Sequence, residues 1–436
     1  MKKLFKRLTK RDLDSLFGRF FKNSAYQFSN ILVAKAGALI FSLLLARLLM
    51  PSLFGLYSLS MSIILIFSSF SDLGISKTAV IILSRQKSLN DFKKNARYLF
   101  KLKLYFALLF AVILGVLAFP LSVIYGKSPL FIGLIGGTSY LIFSGLSTIF
   151  EALFQARQDF KTPLIKEAIF QIIRIILVIP AVFILLKMNN LENVTLFSSF
   201  FLMAISYFFA TMFMFFKLGS QRSFINHPVK LKSSEKAKAK TLLYPLSFNS
   251  LSEIFFSYFD LIILGFFVLP AYLGYYQVAM TLLALATPFS SLALVLLPIF
   301  GRVRGQQRKS IFGRSVKSLL VITFTLAILM FFLSKFLISL LYGQSYLPSI
   351  NILRILTPLF ILVPMTTLYY NYLISTGKQF KVSILLISSS AINLFLNLFL
   401  ILFFFRSNPE LIVFVVAGVS VLSKTLYMIG LKVISN

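Results

Sequence analysis

The sequence predicts an all-α integral membrane protein with about twelve transmembrane helices, arranged as two pseudo-symmetric six-helix bundles. Three observations predict this fold class: an apolar composition, apolar segments that recur along the chain, and a sequence repeat half a chain length apart. Hydrophobic residues make up 58% of the 436 residues and charged residues 13%, where a soluble domain carries about a quarter charged residues. The mean hydropathy is +0.90.

The apolar segments predict twelve spans, each long enough to cross a hydrocarbon core of about 30 Å as a helix. These spans leave no segment for a soluble domain. They cover residues 24–47, 56–83, 99–124, 129–153, 164–186, 195–216, 242–268, 272–299, 317–341, 347–375, 380–405 and 410–433.

Four regions follow from the spans. Residues 1–22 place Leu and Phe at helical spacing among basic residues, which predicts an interfacial amphipathic helix on the cytoplasmic surface. A disordered basic tail is the alternative. Residues 23–218 then form the N-terminal six-helix bundle, 219–240 a basic cytoplasmic linker, and 241–436 the C-terminal six-helix bundle.

The positive charges are distributed unequally between the two sides of the predicted membrane. Of the 44 Lys and Arg residues, 35 lie on one side, whereas Arg47, Lys127, Lys187 and Arg406 lie on the other. This asymmetry predicts that both termini are cytoplasmic and that the number of spans is even. The net charge of +32 therefore indicates contact with anionic membrane lipids and not with nucleic acid.

The repeat is carried by two motifs. PSLFGLYSLSMSI, beginning at Pro51, matches PAYLGYYQVAMTL, beginning at Pro270, and YGKS at Tyr125 matches YGQS at Tyr342. The two pairs have nearly the same offset. Because each half has an even number of spans, we expect an axis along the membrane normal to relate the halves, with the cargo path between them.

Charged side chains inside the first-half spans predict a cavity, because a charge at mid-bilayer costs about 3 kcal/mol or more. Lys35 lies in a stripe of small and polar residues, Asp72 and Lys77 end the polar face of the second span, and Arg174 follows Glu167 and Gln171 at helical spacing. The alternatives are internal pairing, such as Asp72 with Lys35, and extension of Lys77 to an interface.

The seventh span carries the strongest local pattern. Asn249, Glu253, Ser257 and Asp260 share one helical face, so two carboxylates lie about 10 Å apart along the axis. Together with Asp72, they are candidates for binding a coupling cation, H⁺ or Na⁺. The alternative is a structural pair with Arg354 or with a first-half cation.

The eleventh span has an uncharged stripe that includes Asn393 and Asn397. Hydrogen bonding between helices accounts for such a stripe.

Several classes of site are excluded. The chain has no cysteine and a single histidine, His227, so we expect no metal site, cofactor or thiol nucleophile. No nucleotide-binding glycine loop is present. The longest loop on the side poor in Lys and Arg, around residues 189–194, is too short for the catalytic acids of a membrane polymerase, and we expect no catalytic residues.

The chain resembles the bacterial polysaccharide flippases of the O-antigen (Wzx-like) type, in the multidrug/oligosaccharidyl-lipid/polysaccharide exporter superfamily. The resemblance rests on LLARLLMPSLFGLYSLSMSI, FSDLGISKTAV, the segment from YPLSFNS to ALATPF, ISLLYGQSYLPSINILRILTP and NLFLNLFLI. It spans nearly the whole chain. Met50 stands where the family usually has glycine.

The resemblance implies a V-shaped pair of bundles that moves undecaprenyl-pyrophosphate-linked oligosaccharide across the inner membrane by alternating access. It implies that basic residues meet the pyrophosphate, and Lys35, Arg47 and Arg174 stand at matching places. The charges within the spans add Lys77 to these substrate-binding candidates. The candidate polar cavity residues are Asn249, Ser257, Arg354, Asn393 and Asn397. We expect a monomer that works beside glycosyltransferases and a polymerase. An ion-coupled multidrug or small-molecule antiporter of the same superfamily is the alternative, and a glycan polymerase or ligase is a weaker one.

Overall fold

The computed structural model describes residues 10–86, 88–188, 192–226, 258–290, 305–405 and 407–435, with residues 241, 243 and 300. Throughout these residues the chain is almost entirely helical and contains no strand. A chain of this composition satisfies its backbone hydrogen bonds inside a bilayer by forming helices. The predicted all-α membrane fold is confirmed.

The helices overlap the predicted spans, but those that begin at Leu89 and Gly305 start ten or more residues before the predicted spans 99–124 and 317–341, and the predicted span 347–375 is divided into two helices. The first half contains α1 (Lys10–Asp72), α2 (Ile75–Leu83), α3 (Leu89–Ile124), α4 (Pro129–Ala156), α5 (Lys161–Lys187) and α6 (Glu192–Lys217). The second half contains α7 (Tyr258–Phe267), α8 (Pro270–Leu283), α9 (Gly305–Leu341), α10 (Ser349–Leu356), α11 (Leu359–Ser375), α12 (Gln379–Leu400) and α13 (Pro409–Ser435). Short turns of 3-10 helix cover Gly219–Asn226, Ala284–Ala286 and Gln344–Tyr346, and a π-helical turn covers Ile401–Phe405.

Nine helical segments in the described part are long and apolar enough to cross a membrane. The first, residues 22–83, has 62 residues, which is enough for two crossings of about 20 residues each. The seventh and eighth predicted spans lie only partly within the described residues. The total of twelve therefore remains a prediction.

The N-terminal region predicted to lie on the membrane surface is described only from Lys10 onward. From there the backbone is helical and continues into the first crossing without a break until Met50. Its position at the interface remains a prediction.

The connection between the first two crossings is much shorter than the predicted loop over residues 48–55. Met50 alone is non-helical, with φ 56° and ψ 170°, and the helix resumes at Pro51. Proline restarts a helix readily because its φ is already fixed near the helical value. The backbone conformation at Met50 is one that glycine adopts without strain and that other residues rarely adopt.

A second break divides the predicted span 56–83, which we expected to be continuous. Leu73 and Gly74 have φ values of 40° and 71°, so α1 ends at Asp72 and α2 begins at Ile75. The Ser76 hydroxyl donates to Asp72 across the break, at 2.5 Å. The break therefore fixes the position of the Asp72 carboxylate.

The repeat motifs have the same local structure in both halves. Gly126 and Gly343 both adopt positive φ, 62° and 92°, in the turns that precede the crossings Pro129–Ala156 and Ser349–Ser375. In an apolar 18-residue stretch of each, 56% and 61% of the residues are buried, the highest values among the described crossings. The matched motifs thus mark equivalent places in the two bundles.

The two halves meet at one end of the molecule, which we call the closed end and which contains residues 45–55, 125–127, 264–274 and 340–346. A Cβ atom at Gly55 would collide with the Pro270 carbonyl, and one at Gly274 with the Pro51 carbonyl. Equivalent residues of the repeat therefore pack against each other reciprocally, as a twofold relation between the halves predicts.

Two further hydrogen bonds join the halves at the closed end. The Tyr346 hydroxyl, in the turn after α9, donates to the Ala46 carbonyl at 2.7 Å. The Lys127 ammonium, in the turn after α3, donates to the Gly265 carbonyl at 2.6 Å. In each case a turn of one half contacts the end of a crossing in the other.

Replacing Met50 by glycine should stabilise the protein. Relief of a strained backbone worth about 1–3 kcal/mol outweighs the extra flexibility that glycine gives the unfolded chain, about 0.5–1 kcal/mol. Thermal unfolding of the purified protein in detergent measures the effect. The control Ser52→Gly, two residues later and exposed in the helix, should lower the midpoint instead. A lower midpoint for Met50→Gly would contradict the assigned strain.

Candidate functional site

The predicted row of polar residues on α5 is present and hydrogen-bonded. The Gln171 amide donates to Glu167 at 2.6 Å, and Arg174 donates to the Gln171 carbonyl oxygen. Gln171 thus links the Glu167 carboxylate to the Arg174 guanidinium, which lies two helical turns away. The spacing of four and three residues was a sufficient signal for this row.

Arg174 is buried inside the first half, with only 7% of its surface exposed. It donates to the Gly37 carbonyl at 3.1 Å, and its guanidinium lies 4.1 Å from the centre of the Phe41 ring and 5.0 Å from that of Phe170. Its Nε is buried without a hydrogen-bond partner. Gly37 permits this packing, because a Cβ there would overlap the Gln171 side chain.

Lys166 joins the same cluster, which the sequence did not reveal. Its ammonium lies 2.5 Å from Glu151 and 3.1 Å from Glu167, and the side chain is 3% exposed. The cluster holds two cations and two carboxylates, so its charges balance.

Asp72 is paired, but its partner is Lys103 and not Lys35. The two charged atoms are 2.6 Å apart, and the Lys103 side chain is 1% exposed. Lys103 lies on the buried face of α3, between Ala96 and Ala107. The sequence signal for this buried ion pair was a lysine in a stripe of alanines at helical spacing. The ion pair leaves Asp72 less suited to bind a mobile cation.

Lys35 lies on the face of α1 that contacts the second half farther along the helix. It shares one face of α1 with Ser42 and Ala46, since residues three or four apart align on a helix. On that face Ser42 lies next to Tyr342, and Ala46 accepts the hydrogen bond from Tyr346. Lys35 itself is exposed and lies about 16 Å along the axis from Ala46.

The structure places the four predicted substrate-binding cations in different surroundings. Lys35 and Arg174 lie on different sides of α1, since Arg174 contacts Gly37 and Phe41. Arg47 donates to the carbonyls of Leu340 and Leu341, the last residues of α9. Lys77 is exposed on α2. Of the four, Lys35 is the one on the face of α1 that contacts the second half at Ala46.

In the second half, Asp260 is buried and accepts two hydrogen bonds. The Tyr276 hydroxyl donates at 2.7 Å and the Ser420 hydroxyl at 2.6 Å, both to the same carboxylate oxygen. Arg354, the partner considered from the sequence, donates instead to Ser334 at 3.2 Å. Asn249, Glu253 and Ser257 lie outside the described residues.

A chain of hydrogen bonds extends from Asp260 to the asparagines of α12. The Ser423 hydroxyl donates to the Ser420 carbonyl at 3.1 Å, Asn393 donates to Ser423 at 3.1 Å, and Asn397 donates to Asn393 at 3.1 Å. The predicted hydrogen bonding between helices is confirmed for Asn393. Ser420 and Ser423, three residues apart in the last crossing, were missed as its partners.

The comparison of sequences gives one family match. Residues 44–351 match the family described as polysaccharide biosynthesis protein. No curated protein matches the chain in sequence.

Solved membrane proteins share the fold. Lipid II flippase MurJ in an inward closed conformation superposes with a TM-score of 0.72 at 16% identity, covering 94% of this chain and 87% of that one. An inward-facing multidrug resistance transporter of the MATE family, in the MOP superfamily, gives 0.65 at 13% identity, with 95% and 94% covered. A variant of the Vibrio cholerae MATE transporter VcmN gives 0.64 at 14% identity, with 97% of both chains covered. The exporter fold predicted from the sequence is confirmed.

Proposed function

Since the chain belongs to the polysaccharide biosynthesis protein family, we propose that it is a flippase for undecaprenyl-pyrophosphate-linked oligosaccharide. The cargo is a repeat unit of O-antigen, capsule or exopolysaccharide. It moves from the cytoplasmic to the periplasmic leaflet of the bacterial inner membrane by alternating access. The structures with the same fold are those of a flippase and of transporters, not of enzymes.

Lys35 is the observation that carries the proposal. It is an exposed lysine on an apolar helix, on the face turned toward the other half. Placing the charge of a lysine within a span costs about 3 kcal/mol or more of free energy unless water or an anion contacts it. A pyrophosphate supplies that anion, and its attraction to an ammonium strengthens as water is excluded.

The orientation of the protein gives the direction of access. With both termini in the cytoplasm, as the distribution of Lys and Arg predicts, the closed end faces the periplasm. The space next to Lys35 is then reached from the cytoplasmic side, where the cargo is made. Opening of the closed end releases the cargo on the other side.

Ion coupling is assigned to the second half. Asp260 is a buried carboxylate that accepts hydrogen bonds from two neutral hydroxyls, those of Tyr276 and Ser420. A buried carboxylate that is neutralised by no cation among the described residues is suited to bind H⁺ or Na⁺. The hydrogen-bond chain to Asn393 and Asn397 provides an element that responds to the occupancy of Asp260. Glu253 is the second candidate on the same predicted face.

The protein acts as a monomer, in contact with anionic lipids through its basic loops. Its partners are the glycosyltransferases and polymerase of the same polysaccharide pathway. Small-molecule antiport is the second candidate, favoured by the fold shared with a multidrug transporter. That function would require a cavity suited to a cation, and the exposed Lys35 argues against it.

Replacing Lys35 by alanine should reduce flipping of a fluorescent lipid-linked oligosaccharide in proteoliposomes by about tenfold or more, since a charge-assisted contact is worth about 1.5–3 kcal/mol. Surface polysaccharide should be lost in cells that depend on this protein. The matched control is Lys335→Ala. Lys335 also lies within a span, between the exposed side chains of Phe332 and Phe336, and its replacement should leave flipping unchanged. Normal flipping by the Lys35 variant would rule out this cation as the cargo contact.

Replacing Asp260 by asparagine should abolish the dependence of flipping on an imposed H⁺ or Na⁺ gradient, because the amide binds neither ion as a carboxylate does. Flipping rates with and without each gradient are compared in the same proteoliposomes. Tyr276→Phe, which removes one donor and keeps the carboxylate, should retain the gradient dependence. An Asp260→Asn protein that still responds fully to both gradients would exclude coupling at this site.

A further inference from the structure

A second cationic site lies at the end of the molecule opposite the closed end. A cavity of about 450 Å³ opens there between the start of α1 and the turn that joins α4 to α5. Lys22 and Tyr26 line it from α1, and residues 157–161 line it from the turn. The apolar spans begin next to these residues, so the cavity lies at the level of the lipid headgroups.

The charges that line this cavity do not cancel. Among the described residues that line it, Lys22, Arg157 and Lys161 face one carboxylate, Asp159. That carboxylate is engaged in capping α5, since its two oxygens accept from the Thr162 amide at 3.1 Å and the Thr162 hydroxyl at 2.7 Å. The cavity therefore presents an excess of positive charge to a ligand.

Arg157 is held in place with an unused donor. Its guanidinium lies 4.8 Å from the centre of the Phe92 ring, and its Nη2 atom is buried without a hydrogen-bond partner. Burial lowers the pKa of Arg157 from its usual range, which reports the cost of removing water from this cation. An anion in the cavity would offset that cost and use the donor.

The cavity also lies at the start of the seam that leads to the buried cluster. Farther along the same two helices, Gln171 contacts the Ala34 carbonyl and Arg174 the Gly37 carbonyl. From Lys161 to Arg174 the distance along α5 is about 20 Å. A ligand held at the cavity is thus next to α1, whose other face carries Lys35.

We propose that this cavity binds the diphosphate group of the lipid-linked cargo in the leaflet where the cargo is made, before the cargo enters the space between the halves. This inference rests on the proposed function. Three cations and an unpaired guanidinium donor suit a diphosphate, which carries more charge and more acceptor oxygens than one phosphodiester. The phosphate of an anionic phospholipid is the competing source of the same chemistry.

The test measures binding of undecaprenyl diphosphate without sugar and of phosphatidylglycerol to the protein in zwitterionic nanodiscs, by native mass spectrometry. The wild-type protein should prefer the diphosphate lipid. Arg157→Gln combined with Lys161→Gln should weaken its binding by about tenfold for each cation removed. Lys161→Gln alone replaces an exposed residue. It should also weaken binding of the diphosphate lipid, and it disturbs no buried group.

Lys187→Gln is the matched control, because it removes an exposed lysine from the other end of the same helix. It should leave the preference unchanged. Equal affinity for the two lipids, or a preference that survives the double replacement, would overturn the site. A wild-type protein that binds no diphosphate lipid at all would instead count against the proposed function itself.

Discussion

The fold depends on how closely two helices approach at the closed end. Gly55 and Gly274 face the carbonyls of Pro270 and Pro51, and a side chain at either glycine would force the helices apart. This close approach brings a turn of each half within hydrogen-bond distance of the other half. The Tyr346 hydroxyl, for example, reaches the Ala46 carbonyl of α1. Lys35 lies about 16 Å along α1 from this contact.

The same repeat that builds this contact has diverged in charge. Tyr57 and Tyr276 occupy matched positions of the motif. Tyr57 donates to the Met203 sulfur at 3.3 Å in the first half, whereas Tyr276 donates to Asp260 in the second. One scaffold position thus contacts a neutral thioether in one bundle and a buried carboxylate in the other. This difference supports the proposal that the coupling ion binds in the second half.

The spans, the repeat and the row on α5 could be predicted because each depends on spacing along the chain. The pairing of Lys103 with Asp72 and the separation of Lys35 from Arg174 could not, because each depends on how helices rotate against one another. The break at Met50 was missed for a different reason. A single residue replaced the predicted loop, and methionine gives no signal for the backbone that glycine normally adopts.

The central claim, that the halves separate at the closed end during transport, can be tested directly because the chain contains no cysteine. Ser52→Cys and Ala271→Cys, next to the contacting prolines, can be joined by a short bismaleimide that contains a reducible disulfide. Flipping of lipid-linked oligosaccharide is measured before cross-linking, after it, and after reduction, with each single cysteine variant as a control. The account predicts that flipping stops on cross-linking and returns on reduction. Flipping at an undiminished rate in the cross-linked protein would contradict it.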